Sequence, residues 1–148
     1  ADLVEQTRMA LQVRDRMSDA NKGVIEIRNL KTDVTDRTAK MTANAAFAPL
    51  AKKFADSLSA VEDSVYQTKN QSGQDPLNFP IRLNNKLAHL TSVVGSGDYR
   101  PTDSSEEVRK ELTEQIDVQL ARFRKLEREQ ISRVLNIEEM KTKLEKKK

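Results

Sequence analysis

The sequence contains no cysteine and no tryptophan, and its 148 residues include only four glycines, four prolines, four phenylalanines and two tyrosines. The absence of cysteine excludes disulfides and zinc sites built on thiolates. So few residues that break helices or favour strands, together with 33% charged residues, are typical of a helical bundle rather than a sheet protein. We therefore expect an all-α fold.

Long hydrophobic runs are missing as well. No segment approaches the ~18 uninterrupted apolar residues of a membrane span, which argues against membrane insertion. The 26 basic and 23 acidic residues leave a net charge of +3, and because they are interleaved they indicate a solvated surface rather than a nucleic-acid interface. The length fits one domain, residues 1–148, and the lack of a leader at Ala1 favours a mature product or an excised domain.

Apolar residues recur at seven-residue spacing in the first part of the chain. The two series, offset by three, are Leu3, Ala10, Met17 and Val24, and Val13, Ala20, Ile27 and Val34. Together they predict one long helix over about residues 2–36. Because the phase is unbroken across Asn21, Lys22 and Gly23, the pattern places these three residues on the solvent side of that helix.

A second helix is predicted from a turn at about residues 38–46 to about Asn70, with Asn44 as a candidate N-cap. Its apolar seam comprises Phe47, Ala51, Phe54, Leu58, Val61, Val65 and Thr68. Pro49 fits this assignment only because it lies near the helix start, where a missing amide donor costs little.

The third and fourth helices follow after a polar connection. Helix three is predicted from residue 78 or 80 to Val94, with a buried face at Leu83, Leu87, Leu90 and Val94, and the glycines at 95 and 97 end it. Ser104 and Glu107 predict a capping box for helix four, which continues to about Leu144. The sequence thus predicts an antiparallel up-and-down four-helix bundle with one long N-terminal helix.

The connection before helix three is rich in specific polar side chains, and two interpretations stay open. In the first, these side chains bind a partner or a polar ligand through hydrogen bonds. In the second, they cap and bridge helices two and three, with Asn84 as the inward member of the Asn84–Asn85 pair. The candidate binding residues are Gln67, Asn70, Gln71, Asp75, Asn78, Arg82, Asn84 and Asn85.

The sequence offers no set of residues arranged for catalysis or metal binding. His89 is the only histidine, and no acidic residue lies three or four positions from it, so no metal site is predicted. No nucleophile motif with a histidine base is present. Adjacent acids such as Glu62 and Asp63 diverge by about 100° on a helix, and we expect them to be solvent charges. The prediction is a protein without catalytic residues or cofactor.

Residues 66–108, YQTKNQSGQDPLNFPIRLNNKLAHLTSVVGSGDYRPTDSSEEV, resemble the helical C-terminal region of large bacterial proteins that carry a preceding β-propeller of BNR or Asp-box repeats. Such proteins are described as glycosyl-hydrolase-like or sortilin-like. The resemblance implies an exported parent whose enzymatic or ligand-binding role belongs to the propeller.

On this basis the chain is expected to be an accessory domain for packing or association. Its expected partner is the propeller of the same polypeptide or another protein. Oligomerisation of the chain itself stays open. Two other functions stay open. The chain could be a four-helix sensory domain that binds a small polar ligand between helices, or a bundle that lends Arg82 or Asp75 to the propeller's site.

Overall fold

The computed structural model describes residues 2–40, 47–70, 72 and 77–145, with side chains described for all of these except 47 and 131–145. It contains four helices: α1 (Asp2–Lys40), α2 (Phe47–Val65), α3 (Leu83–Val94) and α4 (Asp103–Glu145). Within the described ranges there is no strand. The predicted all-α four-helix bundle is confirmed, including a single N-terminal helix that runs unbroken past Val34.

α2 runs antiparallel to α1, as predicted. Phe54 in the first half of α2 belongs to the same core cluster as Val34 near the end of α1. Val65 at the end of α2 shares a second cluster with Val24, which lies earlier in α1. α2 therefore packs along the C-terminal half of α1 and ends near the middle of α1.

α3 continues in the same direction along the N-terminal half of α1. The Asn84 side chain near its start donates a hydrogen bond to Asn21 Oδ1 at 3.0 Å. The Gln6 side chain donates to the carbonyl of Val94, the last residue of α3, at 2.7 Å. α2 and α3 thus follow one another in the same direction along α1, which differs from the predicted up-and-down order, because heptad spacing does not reveal the direction of a helix.

α4 runs parallel to α1. Arg8 pairs with Glu106 at 2.8 Å, and about two to three turns further along Arg16 pairs with Asp117 at 2.9 Å. The bundle therefore has α1 and α4 in one direction and the successive helices α2 and α3 in the other. At most levels, three helices surround the core.

The core consists of two clusters stacked along the bundle. The lower one joins the first half of α1 to α3 and the start of α4, and the upper one joins the second half of α1 to α2 and Phe123. Leu58 in the upper cluster and Leu87 in the lower cluster are both fully buried. Burial of such a side chain contributes about 1.5–3 kcal/mol, so both halves have a stabilising core.

The predicted series of buried apolar residues in α1 is wrong at its N-terminal end. Leu3 is 56% exposed, whereas Met9, which lies outside both heptad series, is fully buried. An α-helix has 3.6 residues per turn, so a strict seven-residue series drifts by about 20° per heptad. The face that holds Val24 in the core has therefore rotated towards solvent at Leu3.

Gly23 is also buried, in contrast to its predicted place on the solvent side. A Cβ atom at this position would lie 2.5 Å from Leu120 Cδ2 of α4. The missing side chain lets α1 and α4 approach closely. The heptad pattern of α1 could not show this, because the neighbour that fills the space lies on another helix.

Several predicted helix boundaries are shifted. α2 ends at Val65 rather than Asn70, because Gln67 Oε1 accepts the Lys69 amide proton and offers that amide an alternative to the helix ladder. The predicted seam residue Thr68 is accordingly exposed.

α3 begins at Leu83, after an extended residue at 82. The predicted turn overlaps α1 at residues 38–40, and Asn44 lies outside the described residues.

The cap of α4 is Thr102 rather than the predicted Ser104–Glu107 capping box. The Ser105 amide donates to Thr102 Oγ1 at 3.2 Å, which places the cap just before Asp103. The end of α3 agrees with the prediction, since the Gly95 amide donates to the Thr91 carbonyl at 3.0 Å.

Candidate functional site

Residues 66–82 form the polar segment that connects α2 to α3, and the structure describes its residues 66–70, 72 and 77–82. The ends of this polar segment are close together, since the Gln67 side chain near its start reaches the Pro80 carbonyl near its end. Gln67 closes its base: the side-chain amide donates to the Pro80 carbonyl at 2.8 Å, and its oxygen accepts from the Lys69 amide at 3.2 Å. Gln67 is only 8% exposed, so this predicted binding residue serves as an internal tie.

Asn84 forms a second polar tie, between α3 and α1. Asn84 is 7% exposed, and its side-chain amide donates to Asn21 Oδ1. Asn85 is half-buried, which agrees with the prediction that Asn84 is the inward member of the pair. The Oδ1 atoms of Asn84 and Asn85 are shielded from solvent and accept no hydrogen bond from any residue that the structure describes.

The other predicted binding residues do not converge on one site. Asn70 is half-buried, and its Oδ1 is a third shielded acceptor that finds no partner among the described residues. Asn78 and Arg82 are exposed, and Arg82 makes no side-chain cap for α3. Gln71 and Asp75 lie outside the described residues. The structure thus gives Gln67 and Asn84 internal contacts and leaves Asn78 and Arg82 on the surface.

Glu62 is a buried charge that the sequence reasoning placed wrongly in solvent. It is 4% exposed and accepts hydrogen bonds from Arg28 at 2.6 Å and Lys31 at 3.1 Å. Burial raises the pKa of Glu62, but the hydrogen bonds and charges of Arg28 and Lys31 outweigh it and hold the pKa below its usual value. The Arg28 guanidinium also lies 5.4 Å from the Tyr66 ring centre. This arrangement ties α2 to α1.

An apolar groove opens between α3 and the start of α4, with a volume of about 390 Å³. Three of its side chains are substantially exposed: Ile81 at 39%, Val93 at 46% and Val108 at 44%. We call this surface the α3–α4 groove; it is lined by Ile81, Lys86, His89, Leu90, Val93, Ser104, Ser105, Val108 and Leu112. No pattern in the sequence indicates that Val108 is uncovered.

A second opening, the α1–α3 pocket, lies on the other flank of α3. Its volume is about 370 Å³, and its lining is more polar: Arg14, Met17, Ser18, Asn21, Ala88, Thr91 and Ser92. Asn21 joins this pocket to the buried Asn84. The pocket could hold a small molecule that forms hydrogen bonds.

Neither opening contains a recognisable catalytic or metal centre. Among the residues that the structure describes, no three His, Cys, Asp or Glu side chains are grouped so that they could hold a metal ion. His89 is exposed on the rim of the α3–α4 groove. No helix in the described ranges combines the length and apolar character needed to cross a membrane.

Comparisons with protein-family models, with curated proteins and with solved structures found no match for this chain. A functional assignment therefore depends on the surfaces of the bundle itself.

Proposed function

We propose that this chain is a non-enzymatic helical domain that packs against another protein through the α3–α4 groove. The observation that carries this proposal is the exposure of Ile81, Val93 and Val108 around one continuous groove. Contiguous apolar surface with a polar rim marks sites of protein association. Covering these side chains would release the water that now contacts them.

The proposed partner is a β-propeller region of the same gene product. The resemblance of residues 66–108 supports this choice, because that segment includes the whole of α3 and the start of α4. Every residue that lines the groove, except Leu112, therefore comes from the part of the chain that resembles propeller-linked domains.

The positions of the shifted charges support a non-enzymatic role. The pKa of Glu106 is lowered chiefly by its hydrogen bond from Arg109, against partial burial and with help from Arg8. Glu106 bridges α1 and α4 in this way, just as Glu62 bridges α1 and α2. Shifted carboxylates in active sites face clefts, whereas these two are used in contacts between helices.

A small-ligand sensory function is the second candidate, and the α1–α3 pocket favours it. Its hydroxyl groups at Ser18, Thr91 and Ser92 suit a polar ligand. Thermal denaturation with a panel of free amino acids would test this function. A rise in Tm that is lost in Thr91→Val would support the sensory function, and no rise with any of them would leave the association function as the better account.

The association function is tested by measuring binding of the recombinant propeller region to the immobilised chain. The double variant Val93→Asp/Val108→Asp should weaken binding at least tenfold, because it places two charges in the desolvated contact. Ile25→Asp is the matched control, since Ile25 is 57% exposed on α1 and should leave binding unchanged. Equal binding by the parent and both variants, or a gene product without a propeller region, would show that the proposed partner is wrong.

A further inference from the structure

The start of α3 carries charges of the unfavourable sign. Arg82 lies just before the helix, and Lys86 follows one turn later, since the Lys86 amide donates to the Arg82 carbonyl at 3.0 Å. α3, all of whose residues are described, has no acidic residue in its first turn, whereas α1 and α4 each have two. A helix N-terminus has partial positive charge, so cations there destabilise the helix. The two basic residues therefore do not contribute to the stability of α3.

No acidic neighbour among the described residues compensates for these two charges. Arg82 and Lys86 are both exposed, and neither takes part in an ion pair within the described part of the chain. Like charges four residues apart on a helix also repel each other. A local arrangement that costs stability without an internal gain is typical of a functional site. We call Arg82 and Lys86 the basic edge.

The basic edge borders the α3–α4 groove. Lys86 lines the groove, and Arg82 directly follows Ile81, which lines it as well. No acidic residue that the structure describes lines the groove. On α4, the exposed Glu111 lies outside the lining and accepts a hydrogen bond from Gln115 at 2.9 Å. The apolar surface of the groove therefore has a positive border at the start of α3, which its own described lining does not neutralise.

The excess positive charge of the chain is concentrated in the same region. Residues 66–97 contain three basic residues and one acidic residue, so they hold two of the three net positive charges of the chain. In the rest of the sequence, basic and acidic residues nearly balance. The electrostatic attraction of an acidic surface is therefore directed towards this side of the bundle.

From this arrangement we propose that the propeller surface in contact with the α3–α4 groove is acidic: it presents apolar side chains to Val93 and Val108 and carboxylates to the basic edge. Opposite charges across a contact raise the rate of association and fix the orientation of the partner. The basic edge lies at the start of α3 and Val93 lies near its end, so the carboxylates of the partner face the start of α3. The inference rests on the proposed association function and specifies the chemistry of the partner surface.

Binding rates between the immobilised chain and the recombinant propeller region test the proposal. Arg82→Glu/Lys86→Glu should lower the association rate constant about tenfold or more at roughly 50 mM salt. The difference from the parent should shrink at about 500 mM salt, where exposed charges are screened. The matched control is Lys52→Glu/Lys53→Glu, which makes the same change in charge on exposed residues of α2 and should lower the rate constant at most about twofold.

Thermal denaturation separates a binding role of the basic edge from a structural one. Arg82→Glu/Lys86→Glu places acidic residues at a helix N-terminus, where they interact favourably with the helix dipole. Its Tm should therefore equal or exceed that of the parent, although its binding is slower. A lower Tm would show that Arg82 and Lys86 stabilise the fold, and it would overturn the proposal.

The outcomes of the binding experiment distinguish this inference from the association function. Binding that is weakened by Val93→Asp/Val108→Asp but keeps the parent rate in Arg82→Glu/Lys86→Glu would support the association function and overturn the acidic partner surface. An equal loss of rate in Lys52→Glu/Lys53→Glu would show that net charge directs binding, and it would also overturn the role of the basic edge. No binding of the propeller region to the parent chain would overturn both proposals.

Discussion

The region around α2 and the region around α3 both bury an apolar helix face, but the surfaces that border these faces differ. Around α2, the core is flanked by Glu62, whose carboxylate is satisfied by two basic side chains of α1. Around α3, the core is just as deeply buried, but an apolar groove remains open on the side of α4. The difference supports our proposal that the α3 region presents a surface to a partner, whereas the α2 region mainly holds the bundle together.

The largest expected effect is a loss of stability when one buried leucine is truncated in each region, which tests whether each region has a core. Leu58→Ala and Leu87→Ala each remove a fully buried side chain, one from each cluster. Each should lower the free energy of unfolding by about 2–5 kcal/mol, because the lost burial is accompanied by a cavity. Urea denaturation measures both. A loss below about 1 kcal/mol for Leu87→Ala alone would mean that α3 is only loosely attached, and the comparison would no longer hold.

The next prediction concerns the polar contact between α3 and α1. Asn84→Ala removes the hydrogen bond to Asn21 and should cost about 1–3 kcal/mol, whereas Asn85→Ala, its matched neighbour, should change stability by at most about 0.5 kcal/mol. Thermal denaturation of both variants decides between them. If both melt like the parent, the polar segment is not a structural clasp, and a binding role for Asn70 and Arg82 becomes the better explanation.

A smaller effect is expected from pH in the α2 region. The pKa of Glu62 is lower in the folded chain than its ordinary value of 4.5. The ion cluster therefore stabilises the fold above the ordinary carboxylate pKa, and this contribution is lost as the pH falls through the folded pKa. Arg28 is half exposed, so the contribution is only about 1 kcal/mol.

Glu62→Gln provides the comparison for this pH effect. Its unfolding free energy should change less than that of the parent as the pH is lowered from neutral through the acid range. Urea denaturation at several pH values measures the difference. Parallel pH profiles for the two proteins would show that Glu62 is not stabilised by its basic neighbours.

The sequence was sufficient for features that repeat along one helix. The heptads predicted α1 across Gly23, and the spacing of Leu83, Leu87, Leu90 and Val94 predicted the buried face of α3, because a local period determines which side of a helix is apolar. The inward orientation of Asn84 followed from the same reasoning.

Features that depend on distant neighbours could not be predicted in this way. Glu62 and Asp63 are adjacent acids in the sequence, yet only Glu62 meets the basic residues of α1. Gly23 is buried because Leu120 reaches it from α4. The exposure of Val108 depends on how α3 and α4 are spaced, and no single helix pattern contains that information.

The most direct test of the central claim is a methyl NMR titration of the full chain with the propeller region. The account predicts that the methyl signals of Val93 and Val108 shift in this titration. Those of Val4 and Ile25, which are exposed on α1, should stay in place. Shifts confined to the α1 residues, or no shift at Val93 and Val108, would contradict the assignment of the α3–α4 groove as the association surface.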